Sequence, residues 1–180
     1  MKAVLLTAIS VMLASTLIGC DRSAPVASGD PITAPAQTES QAPNWLLTEL
    51  PTDAQSVGAL KTAAREGDIV TVRGRIGGSR SPMTADSAVF TIVDSSLPTC
   101  ADNPDDNCRT PWDYCCEPRE VLTANSATIQ LVDAEGNPLT IDATTHLNPG
   151  DEIVVAGKVA PRPHSSVLIV QATVVHVVGG

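Results

Sequence analysis

Four cysteines lie close together in the stretch 100–118, which reads CADNPDDNCRTPWDYCCEP. They are Cys100, Cys108, Cys115 and Cys116. Cysteine thiols can form disulfides, bind soft metal ions or take part in redox exchange. The fifth cysteine, Cys20, lies far from this stretch near the N-terminus, so an even number remains here. The first hypothesis is therefore two disulfides that brace the segment in an exported protein.

The sequence leaves the pairing of these cysteines open. A bond between the neighbours Cys115 and Cys116 is the least expected, because adjacent Cα atoms lie about 3.8 Å apart, less than the usual disulfide span. Each of the two then reaches back to Cys100 or Cys108, in either order, since neighbouring side chains of an extended segment point to opposite sides. Each bridge would close a short loop and contribute about 2–3 kcal/mol to stability.

A metal site is the alternative, with the thiolates around a soft ion or nearby carboxylates around a hard cation. The carboxylates are Asp102, Asp105, Asp106 and Asp113. The cysteines are separated by seven, six and zero residues, unlike the closely spaced pairs of zinc knuckles, and the acidic residues lack EF-hand spacing. A redox-active thiol is a third alternative, although no Cys-x-x-Cys pair is present. We therefore expect no resident metal or cofactor.

Two aromatic rings, Trp112 and Tyr114, flank Asp113 just ahead of the paired cysteines. We expect the rings to pack over the bridges as a small core. The alternative is that Trp112, Asp113 and Tyr114 contact a protein partner, because aromatic residues are favoured at interface hot spots.

The chain begins with the layout of an export signal, a charged start followed by an apolar run and the residues LIGC at 17–20. These four residues resemble the lipobox of bacterial lipoproteins. The resemblance implies that residues 1–20 are a signal peptide, that Cys20 carries a lipid such as palmitate, and that the protein is anchored on the extracytoplasmic side of a bacterial membrane. An ordinary secretory signal with a chance cysteine is the alternative.

The next two segments connect this anchor to a folded domain. Residues 21–44 are rich in Ser, Pro and Ala without apolar periodicity, which predicts a disordered stalk. Residues 45–66 are predicted to be a helical lead-in, with a helix that begins at an N-cap at Thr52-Asp53 and ends at Gly67.

From residue 67 to residue 178 the hydrophobic period changes to two, which predicts a β-domain. The predicted strands cover 68–76, 88–94, 127–133, 151–159 and 167–178, with a short return strand at 138–142 and a cysteine-rich insertion at 95–122. Gly74 and Gly157 lie in the middle of the first and fourth principal strands, where we expect a bend or bulge.

Five short strands with a central glycine in the first and fourth resemble the OB-fold, a small Greek-key barrel. The chain is similar to bacterial OB-fold proteins of the cell envelope, in which strand two ends in Phe-x-x-x-Asp, here Phe90 to Asp94, and strand four begins with Gly-Asp. The motif TPWDYCC on this frame also resembles uncharacterised lipoproteins of planctomycete-type bacteria. These resemblances imply a mainly β, five-stranded barrel with a short helix before strand one and the insertion between strands two and three. They imply no particular reaction.

A second candidate site is a group of arginines on the outward face of strand one and in the rim loops. They are Arg73, Arg75, Arg80 and Arg162. They are candidates for contact with an anion or a nucleic acid, and ordinary solvated surface charge is the alternative. The net charge of −9 and the scarcity of aromatic residues in the strands disfavour nucleic acid.

The sequence contains no nucleophile elbow, phosphate loop or paired-histidine motif, so we expect no enzymatic activity. The predicted function is a non-enzymatic envelope lipoprotein that presents an OB-fold module and a disulfide-braced loop to an extracytoplasmic protein partner. The alternatives are nucleic-acid or anionic-ligand binding on the barrel face, and a metal or redox role of the four cysteines.

Overall fold

The computed structural model describes residues 44–103, 105 and 107–179. The predicted signal peptide, the lipidated Cys20 and all but the last residue of the predicted stalk lie outside the described residues. Within the part of the chain that is described, no helix combines the length and the hydropathy needed to cross a bilayer.

The described chain contains six strands and two short α-helices. The strands are β1 (Gln55–Ser56), β2 (Ile69–Ile76), β3 (Val89–Val93), β4 (Ser126–Leu131), β5 (Glu152–Val159) and β6 (Ile169–Val177). The helices are α1 (Val57–Ala63) and α2 (Arg119–Ala124), and 3-10 turns cover Cys100–Asp102 and Ile141–Thr144. The sequence did not predict α2, which begins within the insertion and ends two residues beyond it.

Strands β2 to β6 close into a barrel. Their order is β2-β3-β4-β6-β5, and β5 pairs again with β2 over seven residue pairs from Ile69↔Lys158 to Arg75↔Glu152. The β4–β6 pair is parallel, whereas the other barrel pairs are antiparallel. This closed five-stranded arrangement, with α1 ahead of the first barrel strand and the insertion between the second and third, confirms the predicted OB-fold-like architecture.

The barrel interior follows from the period-two pattern of the strands. In β2, Val70, Val72 and Ile76 are buried, while Ile69 and Arg73 are exposed on the other side. Because alternate side chains of a strand point to opposite faces, one apolar stripe per strand fills the core. That core is made mostly of Val, Ile and Leu.

The bend predicted at Gly157 is present. The register between β5 and β6 shifts between Ala156 and Gly157, which marks a β-bulge. A Cβ atom on Gly157 would lie only 2.7 Å from Ala172 Cα, so the two backbones can approach this closely only because the residue is glycine.

The predicted helix cap was wrong. Helix α1 begins after Ser56, whose Oγ accepts a hydrogen bond from Ala59 N at 3.3 Å, and it ends at Ala63, with Ala64 as its C-cap, instead of at Gly67. The residues predicted to cap the helix, Thr52-Asp53, lie before β1, and Asp53 adopts a φ of 60° there. Ser56 caps the helix because its hydroxyl lies directly against the first turn.

The predicted return strand at 138–142 was also wrong. Only an isolated bridge between Val132 and Pro138 forms, and a 3-10 turn follows at Ile141–Thr144. Asp133 accepts hydrogen bonds from the Asn137 backbone and side chain at 2.7 and 2.9 Å, which closes a tight turn immediately before the proline. The pairing continues past the proline only to Leu139, whose N donates to Leu131 O at 2.9 Å, before the 3-10 turn begins.

Candidate functional site

The insertion folds back onto the barrel beside the end of β2. Gly77, the first residue after that strand, lies directly beneath the insertion. A Cβ atom added to Gly77 would overlap the Trp112 carbonyl oxygen and approach Tyr114 Cε2 to 3.0 Å. Arg75 on β2 forms an ion pair with Asp102 at 3.7 Å. Since all these contacts join the barrel to residues between β3 and β4, the insertion is a packed part of the domain.

Backbone hydrogen bonds bring the two ends of the cysteine stretch together. Cys100 N donates to Asp113 O at 2.8 Å, and Ala101 N donates to Pro111 O at 3.1 Å. Asp102 closes the turn by accepting from both the backbone N and the hydroxyl of Thr99, at 2.7 and 2.8 Å. These hydrogen bonds, with Arg75 nearby, lower the pKa of the Asp102 carboxyl. The segment 111–115 is therefore held alongside the residues that begin at Cys100.

This pairing brings the sulfur atoms into one cluster. Cys100 Sγ lies 3.2 Å from Cys115 Sγ, and the Sγ atoms of Cys100, Cys108 and Cys115 all lie within 4.8 Å of one another. Cys116 Sγ is 4.0 Å from Cys115 Sγ. The 3.2 and 4.0 Å separations exceed the roughly 2.05 Å of a disulfide bond. The four cysteines that the sequence singled out are thus brought together in one part of the insertion.

The cysteines of this cluster differ in exposure and acidity. Burial raises the pKa of the Cys100 thiol to about 12, so this group keeps its proton at neutral pH unless a bond replaces it. The Thr110 hydroxyl, 3.3 Å from Cys108 Sγ, contributes to a lowered pKa of the Cys108 thiol. Cys108 is half-buried and Cys115 is exposed, which leaves the cluster accessible from solvent on one side.

The Trp112-Asp113-Tyr114 segment is mostly turned inward. Tyr114 is 2% exposed and Asp113 is 8% exposed, and Asp113 Oδ1 accepts from Tyr114 N at 2.8 Å. Burial raises the pKa of the Tyr114 hydroxyl, and the nearby Arg75 opposes this effect. Trp112 is half-buried, and its Nε1 donates to Arg80 O at 3.3 Å. Trp112 is therefore the member of this segment that offers ring surface to a partner.

The four candidate arginines are engaged with different parts of the fold. Arg73 pairs with Glu152 on β5 at 2.9 Å, Arg75 pairs with Asp102 of the insertion, and Arg80 is an exposed residue in the loop after β2. Arg162 donates four hydrogen bonds to the backbone carbonyls of Lys61, Ala64, Ser165 and Val167. Its guanidinium therefore fastens the loop before β6 to the end of α1.

Sequence reasoning missed a buried lysine beside a groove. Lys61 on α1 is 9% exposed and donates to the carbonyls of Thr123 and Ser126, the latter at 2.6 Å. Burial, and then the positive charge of Arg162, lower the pKa of the Lys61 ammonium. The groove measures about 610 Å³ and is lined by α1, α2 and the loop that contains Ser165. The sequence signal that could have predicted this burial is the position of Lys61 directly after Leu60, on the apolar side of a short helix.

Comparison with known proteins assigns no family and no function to the chain. No protein-family model matches the chain, and no curated protein matches it. Among solved structures, the chain is similar to the hypothetical protein YgiW from E. coli, with 11% identity over 77% of this chain and 100% of that chain and a TM-score of 0.38. The fold assignment made above rests on the strand order of the barrel.

Proposed function

We propose that the chain is a non-enzymatic envelope lipoprotein whose OB-like barrel presents the insertion to an extracytoplasmic protein partner. The observation that carries this proposal is the packing of the insertion on the barrel through Gly77, Tyr114 and the Arg75–Asp102 pair. A loop that is already ordered loses little conformational entropy on binding, so its contacts contribute more of their energy to affinity.

The proposed contact surface is the neighbourhood of Trp112. The ring borders a depression of about 220 Å³ that is also lined by Arg75, Asp102, Pro149 and Gly150. A half-exposed tryptophan beside a small pocket with a charged pair has the features of an interface hot spot. Such a site suits a partner that inserts an apolar side chain and places polar groups at the rim.

Site-specific photo-crosslinking in cells tests this surface. With a photoreactive amino acid at the exposed Pro111, we expect a discrete adduct that disappears in the Trp112→Ala variant. The same probe at the exposed Thr173 on β6 is the matched control and should give none. Circular dichroism establishes that both variants fold. Equal adduct patterns from the two positions, or an adduct unaffected by Trp112→Ala, would contradict the proposal.

The anchor belongs to the same proposal and is supported by the LIGC sequence ending at Cys20. We expect the wild-type protein in the membrane fraction, with a mature N-terminus at Cys20 that carries lipid detectable by mass spectrometry. Cys20→Ala should yield unlipidated protein. A wild-type chain without lipid on Cys20 would overturn the anchoring and leave the crosslinking result standing.

In an oxidising compartment we propose that disulfides brace the insertion. The pair that needs the smallest movement is Cys100 with Cys115, whose sulfurs lie 3.2 Å apart, and this choice leaves Cys108 for Cys116. Non-reducing peptide mapping of protein whose thiols are blocked at lysis checks the pairing. A different connectivity, or four blocked thiols, would contradict it.

A further inference from the structure

We propose that Cys100, Cys108 and Cys115, in their thiol state, form a binding site for one soft d10 metal ion, Zn²⁺ or Cu⁺. This inference goes beyond the proposed partner binding and does not depend on it. It starts from the geometry of the sulfurs, which all lie within 4.8 Å of one another, with the closest pair 3.2 Å apart. Thiolates bound at about 2.3 Å to one ion are separated by roughly 3.8–4.0 Å, so small side-chain rotations suffice.

Three converging sulfurs are informative because a disulfide uses only two. The Cys108 sulfur lies within reach of both Cys100 and Cys115, and this arrangement supplies three donors for a central ion. Soft thiolate donors favour Zn²⁺ and Cu⁺ over hard cations. The carboxylate of Asp102 is instead held by Thr99 and Arg75, so the sulfurs alone make up the proposed donor set.

The scaffold around the sulfurs is ordered before any ion arrives. The hydrogen bonds from Cys100 N to Asp113 O and from Ala101 N to Pro111 O hold the two ends of the stretch in place. Thr110 contacts the Cys108 sulfur from one side at 3.3 Å. Cys100 forms the buried floor of the site and Cys115 its exposed edge, so an ion can enter from solvent. Pre-positioned donors reduce the entropy cost of coordination.

The coordination number separates the two candidate ions. Zn²⁺ in structural sites takes four ligands, and Cys116, whose sulfur lies 4.0 Å from that of Cys115, is the nearest further thiol among the described residues. We expect Cu⁺ to be held by the three clustered sulfurs alone. Each ligand gives up its S–H proton to solvent on binding, and no electron is transferred. Formation of a disulfide consumes the same sulfurs and excludes the ion.

Metal titration of the purified full-length protein tests the inference. The protein is reduced with a phosphine, freed of metal and handled without oxygen, and Zn²⁺ or Cu⁺ is then added in competition with a chromophoric chelator. We expect one ion per chain. Cys108→Ser should weaken binding of the preferred ion by about 100-fold or more, since a primary ligand is worth at least as much as the outer-shell partners that cost 10–100-fold.

Cys116→Ser removes a thiol outside the three-sulfur cluster, so it is the matched control for Cu⁺ and the test of a fourth ligand for Zn²⁺. It should leave Cu⁺ binding unchanged if Cu⁺ is the ion, and it should weaken only Zn²⁺ binding if Zn²⁺ is the ion. Cobalt substitution adds a second readout, since a thiolate-to-cobalt charge-transfer band reports sulfur ligation directly. Binding of neither ion, or equal affinities in the wild type and in folded Cys108→Ser, would overturn the inference. Crosslinking at Pro111 does not test the thiols, so the two proposals fail separately.

Discussion

At the residue scale, Asp94 shows how one side chain joins the barrel to the helix before it. Asp94 Oδ2 accepts from Gly58 N in α1 at 2.9 Å, and Oδ1 accepts from the Ser96 backbone and hydroxyl at 3.1 and 2.8 Å. Burial by itself would raise the pKa of this carboxyl, but the hydrogen bonds outweigh it and lower the pKa. The Phe-x-x-x-Asp pattern drew attention to this aspartate, and the structure supplies its role.

We predict that Asp94→Asn lowers the free energy of unfolding at neutral pH by about 1–3 kcal/mol, because a buried network loses its charged acceptor. The folded-state pKa of Asp94 lies below the unfolded value. The stabilisation is therefore present above the unfolded pKa, near 3.9, and is lost as the pH falls through the folded pKa. Urea unfolding from pH 7 down to pH 3 should show that the difference in the free energy of unfolding between the wild type and Asp94→Asn becomes smaller.

The exposed Asp86→Asn is the control for this experiment and should change stability by less than about 0.5 kcal/mol. If the difference in the free energy of unfolding between the wild type and Asp94→Asn stays constant across the pH range, the charge of Asp94 does not contribute to stability.

At the element scale, the fit of the insertion on the barrel depends on a residue without a side chain. We predict that Gly77→Ala destabilises the protein by about 1–3 kcal/mol, the usual cost of overpacking, because the new methyl group overlaps the Trp112 backbone oxygen. A backbone atom cannot rotate away, so the insertion must shift. Chemical unfolding measures the loss of stability, and limited proteolysis within 95–122 measures the loosening.

Ser79→Ala, an exposed change in the same loop, is the control and should alter neither quantity. If Gly77→Ala is as resistant to proteolysis as the wild type, the insertion is not held at this point.

Prediction from sequence worked best where the pattern is local. In β2, apolar residues such as Val70 and Val72 alternate with more exposed ones. This alternation predicts a half-buried strand without any knowledge of its neighbours in the fold. The contact of Cys100 with Asp113 is different, because it pairs two irregular segments that have no periodicity. The cysteine intervals argued against a metal site, whereas the backbone pairing brings three sulfurs within 4.8 Å of one another. Lys61 was missed for a related reason, since its carbonyl partners come from α2 and β4, more than sixty residues along the chain.

At the scale of the whole molecule, the closed barrel fixes where the charges lie. The seam between β2 and β5 carries the Arg73–Glu152 pair, and Arg75 faces the insertion. Arg162, in the loop before β6, donates its hydrogen bonds to backbone carbonyls. The net charge of the chain is −9, and from residue 67 onward acidic residues outnumber basic ones by fourteen to seven. The positive groups are thus few, and three of the four candidate arginines are engaged within the domain.

This distribution leads to a prediction about nucleic acid. Binding to phosphate backbones is driven by cations that replace condensed counterions, so an acidic domain with paired arginines should give no gel shift with single-stranded DNA or RNA, even at low salt. Stacking of bases on the barrel strands cannot compensate, because Phe90, the aromatic residue of the strands, is buried in the core. A shift at low salt that weakens with added salt, and that is reduced by Arg73→Ala or Arg75→Ala, would contradict this prediction. It would also transfer the functional surface from the insertion to the outer face of β2.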